Sequence, residues 1–598
     1  MVRTRSSRNA LVVDEKAAEK YCATEYEWDE EPDEDHPAKK LEVRRAIVSP
    51  KSKRGRECTG TQWDESEDED YKGCWRKSAR RFEYYIPSTR IIKANVKDSF
   101  SAKLFKIIPL EIHQHIALFL PKDKDIVNYS LICKKSNSAI TNSVWRKFFL
   151  ASFDNVAGLS PKDAAEKYKF RKHVSKQWTC FDLNQHGIRI NKDIRDFQAR
   201  NQLDVLNAFR GLLLESNACQ VTNPYYGYIF VEGRNLNFIS HLLENDVDIV
   251  DAIFNTSFDK GTNDASGFKK VVTANDKDAL IYVIQLLLTP FSLDPAYCNG
   301  KVGHFDISQY QAYCTGKTQP VFSGIYKQQV NIRWLLHIVN FFKYHLKSQG
   351  EGLLAHEYQL LASDEFPQFW TGHIKGGTQP LARHWKGAHM YMEERTLASL
   401  RAWDGQKSVV HTDSLDGNET FEEMDLFFDE KDAAPRYAWP KSFEKVLCSN
   451  PFEDSTQQRK AKQAKVFMEN TPGAKQFWGS CRGSQTGHVF GRVHALTTQQ
   501  GFHGFQRLTM MKYYTEKDAN GHDIYDPFQA WCYEGCVLPG GRIVVGRWWS
   551  AVDNPNLSTT NSGPFMWWNV HRGGEEEIME NEALEFMDTY ADLMAAPI

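Results

Sequence analysis

The residues of this chain that could do chemistry do not form a recognisable catalytic motif. Cys532 and Cys536 form one close pair, but no second Cys or His pair accompanies them at a zinc-site spacing. His356 and Glu357 stand together without the second His of a metallopeptidase helix. No glycine-rich phosphate loop, Gly-x-Ser-x-Gly turn or Cys–His–acid set is recognisable either. The sequence therefore predicts a protein that is not an enzyme and that uses no metal and no cofactor.

Composition excludes several classes of partner. With 598 residues, of which 41% are hydrophobic, the chain is long enough for several domains with substantial cores. The formal net charge of −3 gives no general electrostatic attraction for nucleic acid or for an anionic membrane. No apolar stretch resembles a signal peptide or is long enough to cross a bilayer. We therefore expect an intracellular, soluble protein of the nucleus or the cytoplasm, with reduced thiols.

Three short amphipathic helices are predicted over residues 104–150. Pro109 favours a helix start, and apolar residues then recur every four positions. The members of this stripe are Ile108, Ile112, Ile116 and Leu120. Asp125 is expected to cap a second helix that reaches Cys133, and Thr141 or Asn142 is expected to cap a third. Three helices this short cannot bury their own apolar faces, which indicates a surface for a partner.

This segment resembles the F-box, the motif through which substrate receptors dock on Skp1 in cullin–RING ubiquitin ligases. The residues that carry the resemblance are Ile108-Pro109, Glu111, Ile112, Ile116, Phe119-Leu120, Asp125, Cys133-Lys134 and Trp145-Arg146. Two departures stand out: the loop before Asp125 is one residue longer than usual, and Ser136 occupies a position where Trp is common. The resemblance implies a Skp1 contact made by Ile108, Pro109, Ile112, Ile116, Leu120, Cys133 and Trp145.

The chain divides into stretches of different composition. Residues 1–75 are charged and poor in apolar residues, so we expect them to be disordered. Residues 76–150 are interpreted as a leader followed by the F-box, and residues 151–350 show the periodicity of a helical spacer domain. From 360 to 598 the pattern changes to Gly, Pro and Trp between short apolar runs, which favours antiparallel strands. The predicted fold class is multidomain α+β, with a three-helix F-box, a helical spacer and a barrel-like β-domain carrying a terminal helix.

The strands of the last domain can be predicted individually. We expect them at 369–374, 384–392, 420–428, 489–496, 505–514, 530–538, 543–550 and 564–570. Asn520-Gly521 and Pro539-Gly540-Gly541 are turn signals between later strands. A series of this kind suits a barrel or a curled sandwich, which leaves few exposed edges.

Four stretches of this domain carry a second, weaker resemblance. Residues 385–389, 504–514, 538–550 and 563–570 look like the C-terminal signature of a group of fungal F-box proteins. The substrate-binding half of such proteins is similar to the lipocalin-like barrels of some other F-box receptors. The resemblance therefore implies that the strands close into a barrel.

Adjacent tryptophans on the last strands are the candidate substrate contacts. Neighbouring residues of a strand point to opposite faces, so one ring of Trp548-Trp549 and one of Trp567-Trp568 leave the interior unless the outer face is covered. Arg547 stands beside the first pair, and Trp and Arg are enriched at binding hot spots. The alternative is that these rings pack the barrel and its helix while the arginine is solvated, the more frequent role for any single residue.

The function that the sequence favours is that of an adaptor. Skp1, and through it the cullin and RING subunits, would hold the F-box, while the C-terminal domain recruits an unidentified protein substrate. Holding the substrate near the conjugating enzyme raises its effective concentration. One alternative is a lipocalin-like small-ligand cup coupled to Skp1, which a deep apolar cavity would favour. Another is a Skp1 partner outside ligases, which would not copurify with cullin.

Overall fold

The structure is a computed structural model that describes most of the chain beyond residue 104. The described ranges are 105–175, 192–222, 229–245, 277–295, 305–324, 327–403, 409–415, 421–429, 435–448, 473–482, 486–517, 519, 523–571, 581, 583–584 and 587–588. The predicted disorder of residues 1–75 and the predicted leader up to residue 104 lie outside these ranges. Internal contacts divide the chain into two units, Met1–Ile112 and His113–Ile598.

Four short helices, rather than the three expected, begin the described chain. They are α1 (Leu110–Phe119), α2 (Asp123–Ser130), α3 (Lys134–Ala139) and α4 (Asn142–Ser152). Helix α1 begins one residue after Pro109. The prediction that Asp125 caps the second helix is wrong, because α2 begins two residues earlier with Lys122 in the capping position. Asp125 lies instead in the first turn of α2, where a carboxylate interacts favourably with the helix dipole.

The continuous second helix expected to reach Cys133 is also wrong, because a capping box starts a separate helix there. Cys133 has extended backbone angles and immediately precedes α3. The Ser136 N–H donates to Cys133 Sγ at 3.4 Å, and the Cys133 N–H donates to Ser136 Oγ at 3.0 Å. Such a pair satisfies two N–H groups that a helix start leaves without partners. Ser136, at the position where Trp is common in the resembling motif, therefore has a local structural role.

Helices dominate the described residues between 153 and 360. They are α5 (Pro161–Val174), α6 (Lys192–Leu214), α7 (Arg234–Asn245), α8 (Lys277–Leu287), α9 (Thr289–Leu293), α10 (Phe305–Ala312), α11 (Ile332–Lys347) and α12 (Ala355–Leu360). The sequence does not predict the two small antiparallel hairpins among them. These hairpins are β1 (Cys219–Thr222) with β2 (Ile229–Glu232), and β3 (Phe322–Ser323) with β4 (Gln329–Val330). Helix α11 is buried along nearly its whole length.

The C-terminal part contains a closed antiparallel barrel of eight strands, so the predicted α+β class with a barrel is confirmed at that level. The strands and helices are β5 (His384–Tyr391), α13 (Glu394–Arg401), β6 (Ser414–Leu415), β7 (Glu422–Phe428), α14 (Lys441–Leu447), β8 (Lys475–Arg482), β9 (Thr486–Ala495), β10 (Gln506–Lys517), β11 (Asp523–Val537), β12 (Ile543–Ser550) and β13 (Ser562–Asn569). Strands β5 and β7 to β13 follow one another around the barrel, and pairing of β13 with β5 closes it. Closure leaves the eight strands without a free edge, and β6 adds a short pairing to β5.

Two apolar layers hold the barrel, one on each side of the sheet. The interior cluster includes Trp385, Phe477, Tyr533, Phe565 and Trp567. A second cluster lies on the outer face, where residues of β8 to β12 pack against helix α14 and against Ala583 and Met587. Helix α11 packs on the outer side of β12 and β13. Much of the sheet is therefore covered on both faces, which matches its near-continuous apolar strands.

Most predicted strands are confirmed, with one error and two omissions. The segment 369–374 is irregular, and within it only Gly372 forms a β-bridge, with Ala218. Strand β8 and the two-residue strand β6 were absent from the predicted set. The turn at Pro539-Gly540-Gly541 is confirmed, because both glycines have positive φ and the Gly541 N–H donates to Leu538 O at 3.0 Å. The turn expected at Asn520-Gly521 lies outside the described residues.

Candidate functional site

The first helices carry an unusual density of exposed apolar side chains. Seven of the fifteen exposed large hydrophobic residues of the described chain lie in a stretch of 26 residues, which we call the docking segment (residues 107–132). They are Ile107, Leu110, Ile112, Phe119, Val127, Leu131 and Ile132. Phe119 is 81% exposed and Leu131 is 69% exposed. Because burial of apolar surface is favourable, this concentration makes the segment a candidate surface for a partner.

The residues predicted to contact Skp1 differ in exposure. Pro109 and Ile112 are exposed, whereas the other five, Ile108, Ile116, Leu120, Cys133 and Trp145, are partly buried. The Trp145 ring lies 5.7 Å from that of Tyr168, with Lys169 Nζ 5.1 Å above it. Trp145 therefore also packs α4 against α5.

Of the seven exposed residues of the docking segment, sequence reasoning selected only Ile112 as a contact, and three of the six others belong to or directly follow α2. Val127, Leu131 and Ile132 lie on α2 or directly after it. The usable signal is the adjacent pair Leu131-Ile132, because two large aliphatic residues just before a helix cap are rarely both left in water without a partner.

One ring of each adjacent tryptophan pair leaves the barrel interior, and the outer face is covered at both positions. Trp548 and Trp567 belong to the interior cluster, where the Trp567 ring centroid lies 4.4 Å from that of Phe565. Trp549 lies in the outer cluster beneath Ala583 and Met587.

Trp568 is also covered on the outer face. It packs against Tyr358 and Phe421, and its Nε1 donates to Glu365 O at 2.7 Å. All four rings are at most 4% exposed, because protein layers cover both faces of the sheet. The substrate role predicted for these tryptophans stays a prediction, and direct contact would require the covering layer to move.

Arg547 is buried between the barrel and the helical region instead of being solvated. Its Nη2 donates to Gln319 O at 2.7 Å, and its guanidinium lies 5.3 Å from the Trp334 ring of α11. Burial lowers the pKa of Arg547, and the nearby Glu534 carboxylate partly offsets that effect. Arg547 therefore links β12 to α11, which is a structural role.

A buried ion cluster lies inside the barrel, among residues whose strand positions point inward. Lys512 Nζ of β10 donates to Glu422 Oε1 of β7 at 2.5 Å, across two intervening strands. His389 Nδ1 lies 3.3 Å from the same oxygen, and Cys481 Sγ donates to Glu422 Oε2 at 3.7 Å. Burial raises the pKa of Glu422, but Lys512 and His389 outweigh it and hold that pKa well below its usual range. The cluster stabilises charge in the core and offers no free nucleophile, because burial raises the pKa of Cys481 to about 12.

A second cluster, on the outer face, makes stability depend on pH. Burial, and after it the charges of Arg507 and Arg492, lower the pKa of His494 to about 3. An unfolded histidine takes up a proton near pH 6.5. The unfolded state therefore binds more protons below that pH, and stability falls as pH falls from about 6.5 towards 3.

Glu534 affects stability at lower pH values than His494 does. Burial raises the pKa of Glu534, but Lys327 and Arg507 outweigh burial and lower that pKa to about 2. The stabilisation that Glu534 contributes is therefore lost only as pH falls below the unfolded value near 4.3.

We therefore expect His494→Gln to flatten the pH dependence of stability between pH 7 and 5. In the wild type the free energy of unfolding should fall by up to about 1.4 kcal/mol per pH unit from this one group below pH 6.5. Urea unfolding at several pH values measures the slope. His356→Gln, which changes an exposed histidine, is the control and should leave the slope unchanged. An unaltered slope in His494→Gln would contradict this assignment.

A basic cleft of about 470 Å³ opens at one end of the barrel. It lies where the β11–β12 turn, the start of β5 and the end of β13 meet the irregular segment that precedes β5. Its basic lining residues are His373, Lys375, Arg383, His384, Arg542 and His571. Sequence reasoning missed this cleft, because these residues come from separate stretches of the chain.

Other site types find little support in the described ranges. No three His, Cys, Asp or Glu side chains of the described residues lie close enough to hold a metal ion. No helix among those residues combines the length and apolar composition needed to cross a membrane. Comparison with protein-family models, curated proteins and solved structures finds no match for this chain.

Proposed function

We propose that this protein is a substrate-recognition adaptor of a Skp1–cullin–F-box ubiquitin ligase. The observation that carries the proposal is the docking segment, whose exposed apolar residues coincide with the stretch that resembles an F-box. A partner that covers these side chains removes apolar surface from water, which contributes about 25 cal/mol for each Å² buried. The protein then acts by holding a substrate near a conjugating enzyme and has no catalytic group of its own.

The packing of the barrel supports an adaptor over a lipocalin-like ligand cup. Large side chains of the described strands occupy the interior, among them Trp385, Phe477 and Trp567. A Cβ added at Gly387 would approach Trp567 Cδ1 to 2.1 Å, so the ring lies against the backbone of the neighbouring strand β5. A deep apolar cavity for a small ligand would need this volume to be open.

Substitutions that place a charge on the docking segment should abolish Skp1 binding. Ile112→Asp and Leu131→Asp each introduce a carboxylate where the bound state would have to desolvate it. We expect the dissociation constant for purified Skp1 to rise at least tenfold in each variant, and binding to be undetectable in the double variant. Biolayer interferometry with immobilised Skp1 measures this effect.

The matched control is Leu360→Asp, which adds the same charge at a leucine that is 67% exposed and outside the docking segment. It should bind Skp1 like the wild type, and thermal melts of all variants should coincide. Wild-type Skp1 affinity in the double variant, or absence of Skp1 binding by the wild-type protein, would contradict the proposal.

A second experiment distinguishes a ligase subunit from a Skp1 partner outside ligases. Affinity purification is carried out with and without an inhibitor of cullin neddylation, and substrates captured by a ligase subunit should accumulate when the inhibitor is present.

A further inference from the structure

One buried carboxylate joins the end of α4 to two distant segments of the chain. Asp154, two residues after α4, is only 6% exposed. Its Oδ2 accepts from the Asn217 N–H at 3.0 Å, and its Oδ1 accepts from the Arg234 N–H at 2.9 Å. The Asp154 N–H in turn donates to Asn235 Oδ1 at 3.0 Å. Hydrogen bonds to a charged oxygen are roughly twice as strong as those between neutral groups, so Asp154 holds the end of α4 firmly against both segments.

Asp154 also provides the N-terminal cap of α7. That helix begins at Arg234, and the residue before it, Gly233, has no side chain that could accept from the first N–H groups of the helix. The carboxylate comes instead from a residue 80 positions earlier in the chain, and its negative charge interacts favourably with the helix dipole. A Cβ at Gly233 would lie 3.0 Å from Ala218 Cβ and 3.5 Å from Asp154 Oδ2, so the three segments meet with no room for a further side chain.

The part of the docking segment beyond residue 112 is tied to α4. Lys147 Nζ of α4 donates to Leu118 O of α1. His113 Nδ1 of α1 lies 2.5 Å from Tyr129 Oη of α2, in a buried contact. The position of α4 therefore sets the position of the apolar side chains that a partner would cover.

An irregular stretch, which we call the bridge segment (residues 368–374), connects this junction to the barrel. Ala218, which lies directly before β1, forms a β-bridge with Gly372, and the Gly372 N–H donates to Ala218 O at 2.7 Å. Gln368 Nε2 donates to Ile229 O of β2 at 3.1 Å. The β1–β2 hairpin is therefore attached to the bridge segment at two points.

The bridge segment contacts the barrel with equally little clearance. A Cβ at Gly540, in the β11–β12 turn, would lie 2.6 Å from Trp370 Cβ, and one at Gly504 would lie 2.8 Å from Ile374 Cγ2. His503 Nε2 lies 2.8 Å from Ile374 O. Closely packed interiors are hard to compress and transmit displacements. Hydrogen bonds and close packing therefore run without a break from α4 to the barrel.

From this geometry we propose that Asp154 is a positioning residue that fixes the docking helices and the barrel in one relative orientation. The consequence of a fixed orientation rests on the proposed adaptor function. A partner on the docking segment and a substrate on the C-terminal domain are then held at one separation, and a connection that matches the required span gives the highest effective concentration. The rigidity itself does not depend on Skp1 and can be measured in the protein alone.

Distance measurements on the full-length protein test the proposal without Skp1. Nitroxide labels attached to p-acetylphenylalanine at the exposed positions of Asn137 and Arg482 report the separation of α3 from the barrel. Pulsed electron paramagnetic resonance should give one narrow distance distribution for the otherwise wild-type protein. In Asp154→Ala, which leaves the Asn217 and Arg234 N–H groups without their acceptor, the width of the distribution should at least double. A broad distribution in the otherwise wild-type protein, or an unchanged width in folded Asp154→Ala, overturns the proposal.

The matched control removes a carboxylate whose hydrogen bond is local. Asp163 accepts from Ser160 Oγ at 2.6 Å at the start of α5, so Asp163→Ala should keep the wild-type width. Equal broadening in this control would show that the width reports general loosening, which also overturns the proposal.

A second variant tests the junction if Asp154→Ala does not fold. Gly233→Ala removes no charge, but its methyl group would displace Ala218, so the width should rise by at least half. An unchanged width in this variant would contradict the positioning role. Because Gly233 lies outside the docking segment, Gly233→Ala should bind Skp1 like the wild type. Absence of Skp1 binding by the wild-type protein would contradict the adaptor proposal and leave the distance result unaffected.

Discussion

Trp548→Ala and Trp549→Ala should each lower the free energy of unfolding by about 3–5 kcal/mol, although the two rings lie on opposite faces of β12. Trp548 lies in the barrel interior, where it packs edge-on against Trp531 at 5.4 Å and donates to Met390 O at 3.1 Å. Trp549 lies in the outer cluster, under Ala583. Because both rings are almost fully buried, either truncation leaves a cavity that rigid neighbours cannot fill.

Urea unfolding followed by far-UV circular dichroism measures both effects. The matched control is Phe528→Ala, which removes a ring that is 72% exposed from the adjacent strand β11 and should change stability by less than about 0.5 kcal/mol. A Trp549→Ala variant with wild-type stability would show that the outer cover is loose. If the same variant also lost captured substrates, Trp549 would be a recognition residue rather than a packing residue.

The barrel strands could be predicted because their local signals agree with the fold. Residues 543–550 match β12 in both bounds, since a largely apolar run, interrupted by Gly546 and Arg547, follows a turn that only glycines fit comfortably. Gly540 and Gly541 have φ of +95° and +71°, and residues with a Cβ rarely adopt these angles. Turn chemistry and strand composition are both local properties, so they can be recognised without knowledge of the partner strands.

Strand β8 shows why the remainder could not be predicted. Phe477 points into the barrel and the next residue, Trp478, packs in the outer cluster, so the strand lacks the alternation that marks a half-exposed strand. The burial of Trp549 could not be predicted for a similar reason: the residues that cover it, Ala583 and Met587, are more than thirty residues away in sequence. Coverage of a sheet face is a long-range property, and strand periodicity does not report it.

The two candidate sites also differ in whether their residues are close together in sequence. The position of the exposed apolar segment could be predicted because its motif lies within one short stretch, but of its seven exposed residues sequence reasoning selected only Ile112 as a contact, and the Skp1 role stays a prediction. The basic cleft was not predictable, because its side chains are spread from His373 to His571. Only closure of the barrel through β13 and β5 brings them to one end.

Lys512→Met should destabilise the protein by about 3–5 kcal/mol, because it leaves Glu422 charged and buried without its strongest partner. Burial lowers the pKa of the Lys512 ammonium, but the surrounding groups, Cys481 and Glu422 first, outweigh it and hold that pKa well above its usual value. Met has similar length and no charge, so the variant tests the ion pair rather than the packing. The double variant Lys512→Met/Glu422→Gln removes both charges and should recover most of the loss.

The pH dependence of the Lys512→Met variant separates electrostatics from packing. Without the ammonium group, His389 is the remaining partner of Glu422 in the cluster, and burial should outweigh it and raise the folded-state pKa of Glu422 above its unfolded value of about 4.3. The folded state then takes up a proton as pH falls from 7 to 5, so the stability deficit of Lys512→Met relative to the wild type should shrink over that range. The double variant, which has no carboxylate at position 422, should show no such narrowing. A deficit that stays constant with pH, or a double variant as unstable as Lys512→Met, would mean that the loss comes from packing and that the ion pair contributes little.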